Sequence, residues 1–293
     1  MRKVYDIMLT HKEDKGEALL RHLEGRNPLF ICVIGTTETA KIRGISAAGK
    51  NLELTDYTPP ADVELLLLGK CKCIKGVPVT PEGIPTPALI TRSALQLTDI
   101  PTCIVSGGLK IKPHAPILEL GGAPGGDIRA GKAVVNIREV IQRARIAGEN
   151  FSKMADYLVV GESIPGGTTT ALAILLAMGV DARGRVSSSM SNNPLKLKTR
   201  IVEAGMKAAG IRFGSLANNP LKAIECLGDP MVPAFTGLIL GAAARVPVLM
   251  AGGTQMGAVL AVLKSMGKVP DNVAVATTRW IVSDKASDLK GIV

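Results

Sequence analysis

Asp156-Tyr157-Leu158-Val159-Val160, then Gly161-Glu162-Ser163-Ile164-Pro165-Gly166-Gly167-Thr168-Thr169-Thr170, then Ala171-Leu172-Ala173-Ile174-Leu175-Leu176-Ala177-Met178 decide the fold. The first five residues read as a buried strand. The last eight read as a helix that stops at Gly179. Between them lies a glycine-rich turn. Such a unit binds anions, because the first helical turn has N–H groups without helical acceptors and the helix dipole adds partial positive charge. Gly166 and Gly167 let a phosphate approach the backbone, and three threonines add hydroxyls. Gly161 and Gly166 are spaced as in a P-loop, but Gly167 stands where that motif has its lysine. Nucleoside triphosphate hydrolysis is therefore not expected, and a monophosphate is the expected ligand. The other reading of this loop is a tight strand-to-helix connection that holds nothing.

Outward from this unit the chain alternates apolar strands and helices. Leu29–Ile34, Val63–Leu68, Thr102–Val105, Val246–Met250 and Val273–Thr277 read as strands. Helices are expected over Glu13–Leu23, Ala88–Leu97, Val134–Met154, Val232–Ala244 and Gln255–Met266. Two near-copies, Ser191-Asn192-Asn193-Pro194 and Ala217-Asn218-Asn219-Pro220, each open a further helix. Apolar strands alternating with helices predict an α/β fold with a parallel sheet covered on both faces. Ligands in such folds sit beyond the carboxyl ends of the strands. That rule gathers four loops at one edge: Gly35–Thr39, Ser106–Leu109, Gly161–Thr170 and Gly252–Thr254. Gly121–Asp127 is either a mobile active-site loop or a surface connection.

Composition narrows the function classes. The 293 residues carry a net charge of +10, which suits an anionic ligand. One Trp, three Tyr and four Phe leave no base-stacking platform, and no zinc-finger, homeodomain or RNP signature is present, so nucleic acid is not an expected partner. The basic clusters Lys70–Lys75 and Lys196–Arg200 read as solvated surface. Cys32, Cys71, Cys73, Cys103 and Cys226 read as free thiols of a reducing compartment, and no metal site is expected. Met231 to Gly253 is long enough to span a bilayer, but Pro233, Arg245 and Pro247 interrupt it, so a helix followed by a strand is the reading. No signal peptide is recognisable, and a cytoplasmic protein without membrane contact is expected.

The central loop, together with Gly228-Asp229-Pro230, Gly237, Leu240-Gly241-Ala242-Ala243, Val246-Pro247-Val248, Gly252 and Thr254, resembles the nicotinate-nucleotide:dimethylbenzimidazole phosphoribosyltransferase (CobT) family, in its archaeal branch. The bacterial motif Gly-Glu-Met-Gly-Ile-Gly-Asn-Thr-Thr has the length of Gly161–Thr169 and shares its Gly-Glu, its later Gly and its Thr-Thr. The resemblance is strongest after about residue 100. It implies a Rossmann-like parallel sheet plus a small domain from the chain ends, with residues 1–26 in the small helical part and 27–293 in the α/β domain. It also implies a homodimer, for which the helices at Val232–Ala244 and Gln255–Met266 are the expected interface.

The implied reaction is phosphoribosyl transfer from nicotinate mononucleotide to a benzimidazole-type base, giving α-ribazole 5′-phosphate and nicotinate for the lower ligand of cobamides. No metal or redox cofactor is implied. Gly161, Ser163, Ile164, Pro165, Gly166, Gly167, Thr168 and Thr169 are then the phosphate cradle, with the N–H groups of Ser163 to Gly167 facing the anion. Gly252, Gly253 and Thr254 close round phosphate or ribose. Ser106, Gly107, Gly108 and Leu109 face the base. Glu162, the one acidic residue of the central loop, is the candidate general base. The other role open to it is accepting from backbone N–H groups or pairing with a basic side chain.

The family's proposed catalytic glutamate lies in a glycine-rich C-terminal segment without a counterpart before Val293. Either the sequence is a truncated piece or Glu162 carries more of the chemistry. Gly167 replaces the motif's Asn and Pro165 stiffens the loop, and both bear on which base is accepted. A non-catalytic nucleotide-binding or sensor protein on the same fold is the alternative. A phosphate-ester hydrolase would need an Asp pair, a metal cluster or a Gly-x-Ser-x-Gly elbow, and none is visible.

Overall fold

Two parallel strands, β3 (Pro28–Gly35) and β6 (Tyr157–Ser163), form the middle of the molecule in a computed structural model that describes residues 2–4, 6–190, 192–267 and 269–293. Ser191, in the first of the two near-copies, lies outside the described residues. β4 (Thr102–Gly108) and β5 (Leu118–Glu119) continue the sheet on one side, and β7 (Val248–Ala251) and β8 (Val273–Ala276) on the other. The order is β5-β4-β3-β6-β7-β8, and every neighbouring pair is parallel. The chain therefore runs outward from β3 in one direction, returns to β6 beside it, and runs outward in the other. The crevice between β3 and β6 is the topological switch point, where a doubly wound sheet opens to a ligand.

Side chains of β3 alternate between two clusters, as the pleat requires. Leu29, Ile31 and Val33 enter a large apolar core with α4 (Ile137–Phe151), α5 (Gly167–Ala177), α8 (Met231–Ala242) and α9 (Thr254–Ser265). Cys32 and Ile34 enter a smaller cluster with Val63, Ile104 and Leu109 on the opposite face. α4 and α8 pack backbone against backbone. A Cβ on Gly241 would stand 2.0 Å from the Arg145 carbonyl oxygen, and one on Gly148 would stand 2.3 Å from that of Leu238. Glycine at these two positions is what allows the approach.

The main correction is Val63–Leu68. It is not a strand but the second half of a helix, α2 (Thr58–Leu68). Pro59-Pro60 suits the first helical turn, and Gly69 ends the helix at φ +74°. Every residue from Pro59 to Leu65 is buried, so the segment shows no amphipathic period, and a short apolar run without period reads equally well as a strand. The helix read from Val134 begins at Ile137, after Asn136 takes a left-handed conformation.

The remaining helices α1 (Glu13–Leu23), α3 (Ala88–Thr98), α6 (Leu195–Ala208) and α7 (Pro220–Leu227) stand where the sequence put them, the last two opened by the Asn-Pro of the near-copies. The strand pair β1 (Arg2–Val4) and β2 (Ile7–Leu9), and the short helices α10 (Arg279–Ser283) and α11 (Leu289–Ile292), had no counterpart in the sequence reading. Met231–Gly253 is a helix followed by a strand. No helix among the described residues is long and apolar enough to cross a membrane. α8 is buried from Met231 to Ile239 and α9 from Thr254 to Val259, so the two helices named as an interface are occupied within the chain itself.

Candidate functional site

At the switch point β6 runs further than its apolar residues suggested, and this places Glu162. Gly161 pairs opposite Cys32, Glu162 opposite Val33 and Ser163 opposite Ile34. Gly161 is therefore a buried strand residue packed against the Phe30 ring, not part of a phosphate loop. The turn is Ile164-Pro165-Gly166. Gly166 adopts φ +79° and comes within 3.0 Å of Ala40 measured from a built Cβ, so only glycine fits there.

The N–H groups divide unevenly. That of Ile164 donates to Glu162 Oε2 (2.9 Å), Pro165 has none, and that of Gly167 is 3.4 Å from the Ile164 carbonyl oxygen. Gly166 N–H makes no backbone hydrogen bond with a described residue. The N–H groups left for a ligand are thus those of Gly166 and the first turn of α5, fewer than the run from Ser163 to Gly167 that was expected. Thr168 is half-buried at its rim, whereas Thr169 is fully buried and its Oγ1 has no partner.

Three carboxylates surround this turn. Asp62 of α2, 101 residues before Ser163 in the chain, accepts from Ser163 Oγ (2.8 Å) and from Thr86 Oγ1 (2.7 Å). Asp229 caps α8 through Oδ1, accepting from Met231 N–H (2.9 Å) and Val232 N–H (3.3 Å), and its Oδ2 accepts from Thr170 Oγ1. Burial pushes both carboxyls up to about 6 against these donors. Glu162 is half-buried as a residue, but its carboxyl end is enclosed. Burial, with Asp229 and Asp62 as negative neighbours, raises it to about 7 although the Ile164 N–H favours its ionised form. Both oxygens of Asp62 and of Asp229 have donors. Glu162 uses Oε2 only, and Oε1 makes no hydrogen bond with a described residue.

The other loops are more protein-bound than their composition suggests. Ser106, Gly107 and Gly108 are still strand β4 and buried. Pro230 O lies 2.2 Å from a Cβ built on Gly107, and Ala123 O lies 2.2 Å from one on Gly108. Leu109 packs in the smaller apolar cluster. Ser106, Gly107 and Gly108 are thus enclosed, and Leu109 is half-buried. Gly121–Asp127 is exposed at Gly121 and Pro124 but tied down as a wall at its end: Gly125 N–H donates to Thr36 O (2.8 Å), Glu38 N–H donates to Gly125 O (2.9 Å), and Thr37 Oγ1 donates to Gly126 O (2.9 Å). The threonines of Gly35–Thr39 hold that wall rather than face outward. At the rim, Lys41 and Lys110 share Glu38 and Asp56, with separations from 2.6 to 3.3 Å.

Thr254 is the first residue of α9 and fully buried, and its Oγ1 accepts from Ser187 N–H (3.0 Å). Ser187 O in turn accepts from Lys198 Nζ (2.7 Å), which also donates to Asn193 Oδ1 (3.1 Å). Lys198 lies in the stretch read as a solvated basic cluster. It is fully buried, and burial lowers its ammonium to about 8. Gly253 is within 3.2 Å of Ser187 Oγ from a built Cβ, so Gly252–Thr254 is joined to Ser187 at two points. The sequence reading passed over Asp62, took Lys198 as surface and quoted Asp229 without a role. Only Asp229, between Gly and Pro and ahead of an apolar helix, had a signal, that of a helix cap.

All five cysteines are free, and burial raises each thiol, that of Cys73 to about 12. Among the described residues no group of three or more His, Cys, Asp or Glu is arranged to hold a metal. A polar cleft of about 620 Å³, lined by Lys132, Asn136, Arg138, Asn219 and Lys222 among others, shares no residue with the four loops.

A model of the DBI_PRT family, described as phosphoribosyltransferase, matches residues 130–279. A UPF0284 protein of Methanosarcina mazei is 48% identical over 265 residues, covering 90% of this chain and 75% of that protein. One of Archaeoglobus fulgidus is 44% identical over 283 residues, covering 96% and 80%. Among solved structures, CobT from Thermus thermophilus is similar with a TM-score of 0.61 at 18% identity, covering 89% of this chain and 73% of that one. A nicotinate-nucleotide-dimethylbenzimidazole phosphoribosyltransferase from the same organism gives 0.58 at 17%, covering 86% and 68%.

Proposed function

The chain belongs to the DBI_PRT phosphoribosyltransferase family, CobT-type and in its archaeal UPF0284 branch, and on that premise we propose that it transfers phosphoribosyl from nicotinate mononucleotide to a benzimidazole-type base. The observation that carries this reading is the unpartnered Oε1 of Glu162 at the strand end, beside a helix start able to hold a phosphate. The 5′-phosphate sits on Gly166 N–H and the first turn of α5, which fixes the ribose over Glu162.

The acceptor nitrogen attacks C1′ from the face opposite nicotinate. The C1′–N bond to the pyridinium breaks, and its electron pair neutralises that ring, so free nicotinate leaves. The acceptor's N–H proton passes to Glu162 Oε1. A carboxyl raised to about 7 is a stronger base than an ordinary one and is still largely ionised just above neutrality. Asp62 holds Ser163, and Asp229 ties α5 to α8, so the turn is fixed before substrate arrives. Ser106–Leu109 have no part in this reading, because protein backbone covers Gly107 and Gly108.

Incubation with nicotinate mononucleotide and 5,6-dimethylbenzimidazole should release one nicotinate per α-ribazole 5′-phosphate formed, over many turnovers. A folded protein that releases no nicotinate with any benzimidazole or purine would overturn the reading.

A further inference from the structure

Gly167 has no room for a side chain, and the group that takes the room is the carboxamide of Gln255. A Cβ built on Gly167 would stand 1.9 Å from Gln255 Nε2, 3.0 Å from its Cδ and 2.9 Å from Ile164 Cγ2. Gln255 is the second residue of α9, and it is 7% exposed. Its side chain makes no hydrogen bond with any described residue, although a carboxamide has two donors and two acceptor lone pairs. The fully buried polar side-chain atoms without a partner among the described residues are Thr169 Oγ1 and Thr236 Oγ1, so the carboxamide of Gln255 keeps its polar end open to solvent, where a ligand can take the bonds the protein does not. The group lies against the first residue of α5, where unpaired N–H groups already favour an anion. Thr169, two residues on, has a fully buried hydroxyl that also lacks a partner.

We propose that Gln255 contacts the nucleotide, donating from Nε2 to a phosphate oxygen held at the start of α5, and that residue 167 is glycine to admit it. The inference rests on the transferase reading for the identity of the nucleotide. The bacterial motif has Asn where this chain has Gly167, so here the carboxamide reaches the same turn from a different helix.

Calorimetric titration with nicotinate mononucleotide and, separately, with inorganic phosphate tests this on the parent, Q255A, G167A and G167A/Q255A. Circular dichroism and melting show whether each variant is folded. Q255A should bind both probes about tenfold or more weakly, the usual effect of losing a hydrogen bond to a charged group. The methyl group that G167A introduces meets the same carboxamide and also Ile164 Cγ2, so this variant should bind more weakly too, and the loss in the double variant should be smaller than the sum of the two single losses. Parent-like binding by folded Q255A, or additive losses in the double variant, overturns the proposal. A parent that binds phosphate but not the mononucleotide, with Q255A weakened for phosphate, supports Gln255 and overturns the nucleotide reading instead. Binding of neither probe by the parent overturns both.

Discussion

Asp62 and Glu64 lie two residues apart on α2, are both buried, and titrate in opposite directions. Burial pushes Asp62 up to about 6, because its partners are two hydroxyls. Burial pushes Glu64 the same way, but backbone N–H groups of His114, Cys73 and Lys72 and the His114 ring outweigh it and bring Glu64 down to about 2. One carboxyl of the helix thus faces the proposed site and is uneasy as an anion. The other pins Lys72-Cys73 and the segment at His114 and is content as one. Burial alone does not mark a working carboxyl. The number and kind of donors decide, and Glu162, with one donor and one idle oxygen, stands at the reactive extreme.

That contrast can be broken at three points. The largest effect is expected at Glu162. Glu162→Gln should lower kcat by about 10²–10⁴, the usual contribution of a general base, while the melting temperature stays close to the parent's. The parent's rate should rise through about pH 7 as Glu162 ionises. A variant as active as the parent would remove Glu162 from the chemistry.

Glu64→Gln comes next and should act on stability. It replaces an ionised acceptor of several N–H donors by a neutral one, at a cost of about 3 kcal/mol in denaturant unfolding. The sign follows from linkage. A carboxyl lowered in the folded state stabilises it above the unfolded value near 4.5, and that contribution fades as pH falls toward 2. Between those limits the parent should lose stability on acidification and the variant should lose less.

The smallest effect is expected for Asp62→Asn. A raised carboxyl means that the folded state holds more protons than the unfolded one between about pH 4 and pH 6, so stability falls as pH rises through that window. The variant should flatten this fall. It also removes a negative neighbour of Glu162, so the acid limb of the rate profile should move to lower pH. An unmoved limb would show that Asp62 only holds Ser163.

The candidate site was half legible. Glu162 and Gly166 announced themselves, because a strand, a turn and a helix in sequence order are a local matter, and local backbone geometry selects their residues. Gly161, Gly107 and Gly108 misled for a physical reason. Glycine serves backbone-to-backbone contact as readily as ligand approach, and the sequence looks the same in both cases. Lys198 misled because it sits among other basic residues, and only the packing of α6 shows that this one lysine is enclosed.

What the sequence determined by itself is the alternation of strands and helices, the strand-turn-helix unit around Gly166 and the family to which these belong. These are written in hydrophobic runs and in glycines whose effects reach only a few residues. What the tertiary structure alone decided is which polar groups meet. Asp62 reaches Ser163 across 101 residues, Asp229 reaches Thr170 across 59, and Gln255 fills the space beside Gly167. A carboxyl's acidity and a carboxamide's idleness depend on the dielectric and the donors around them, and those are set by chain segments that have no memory of one another along the sequence.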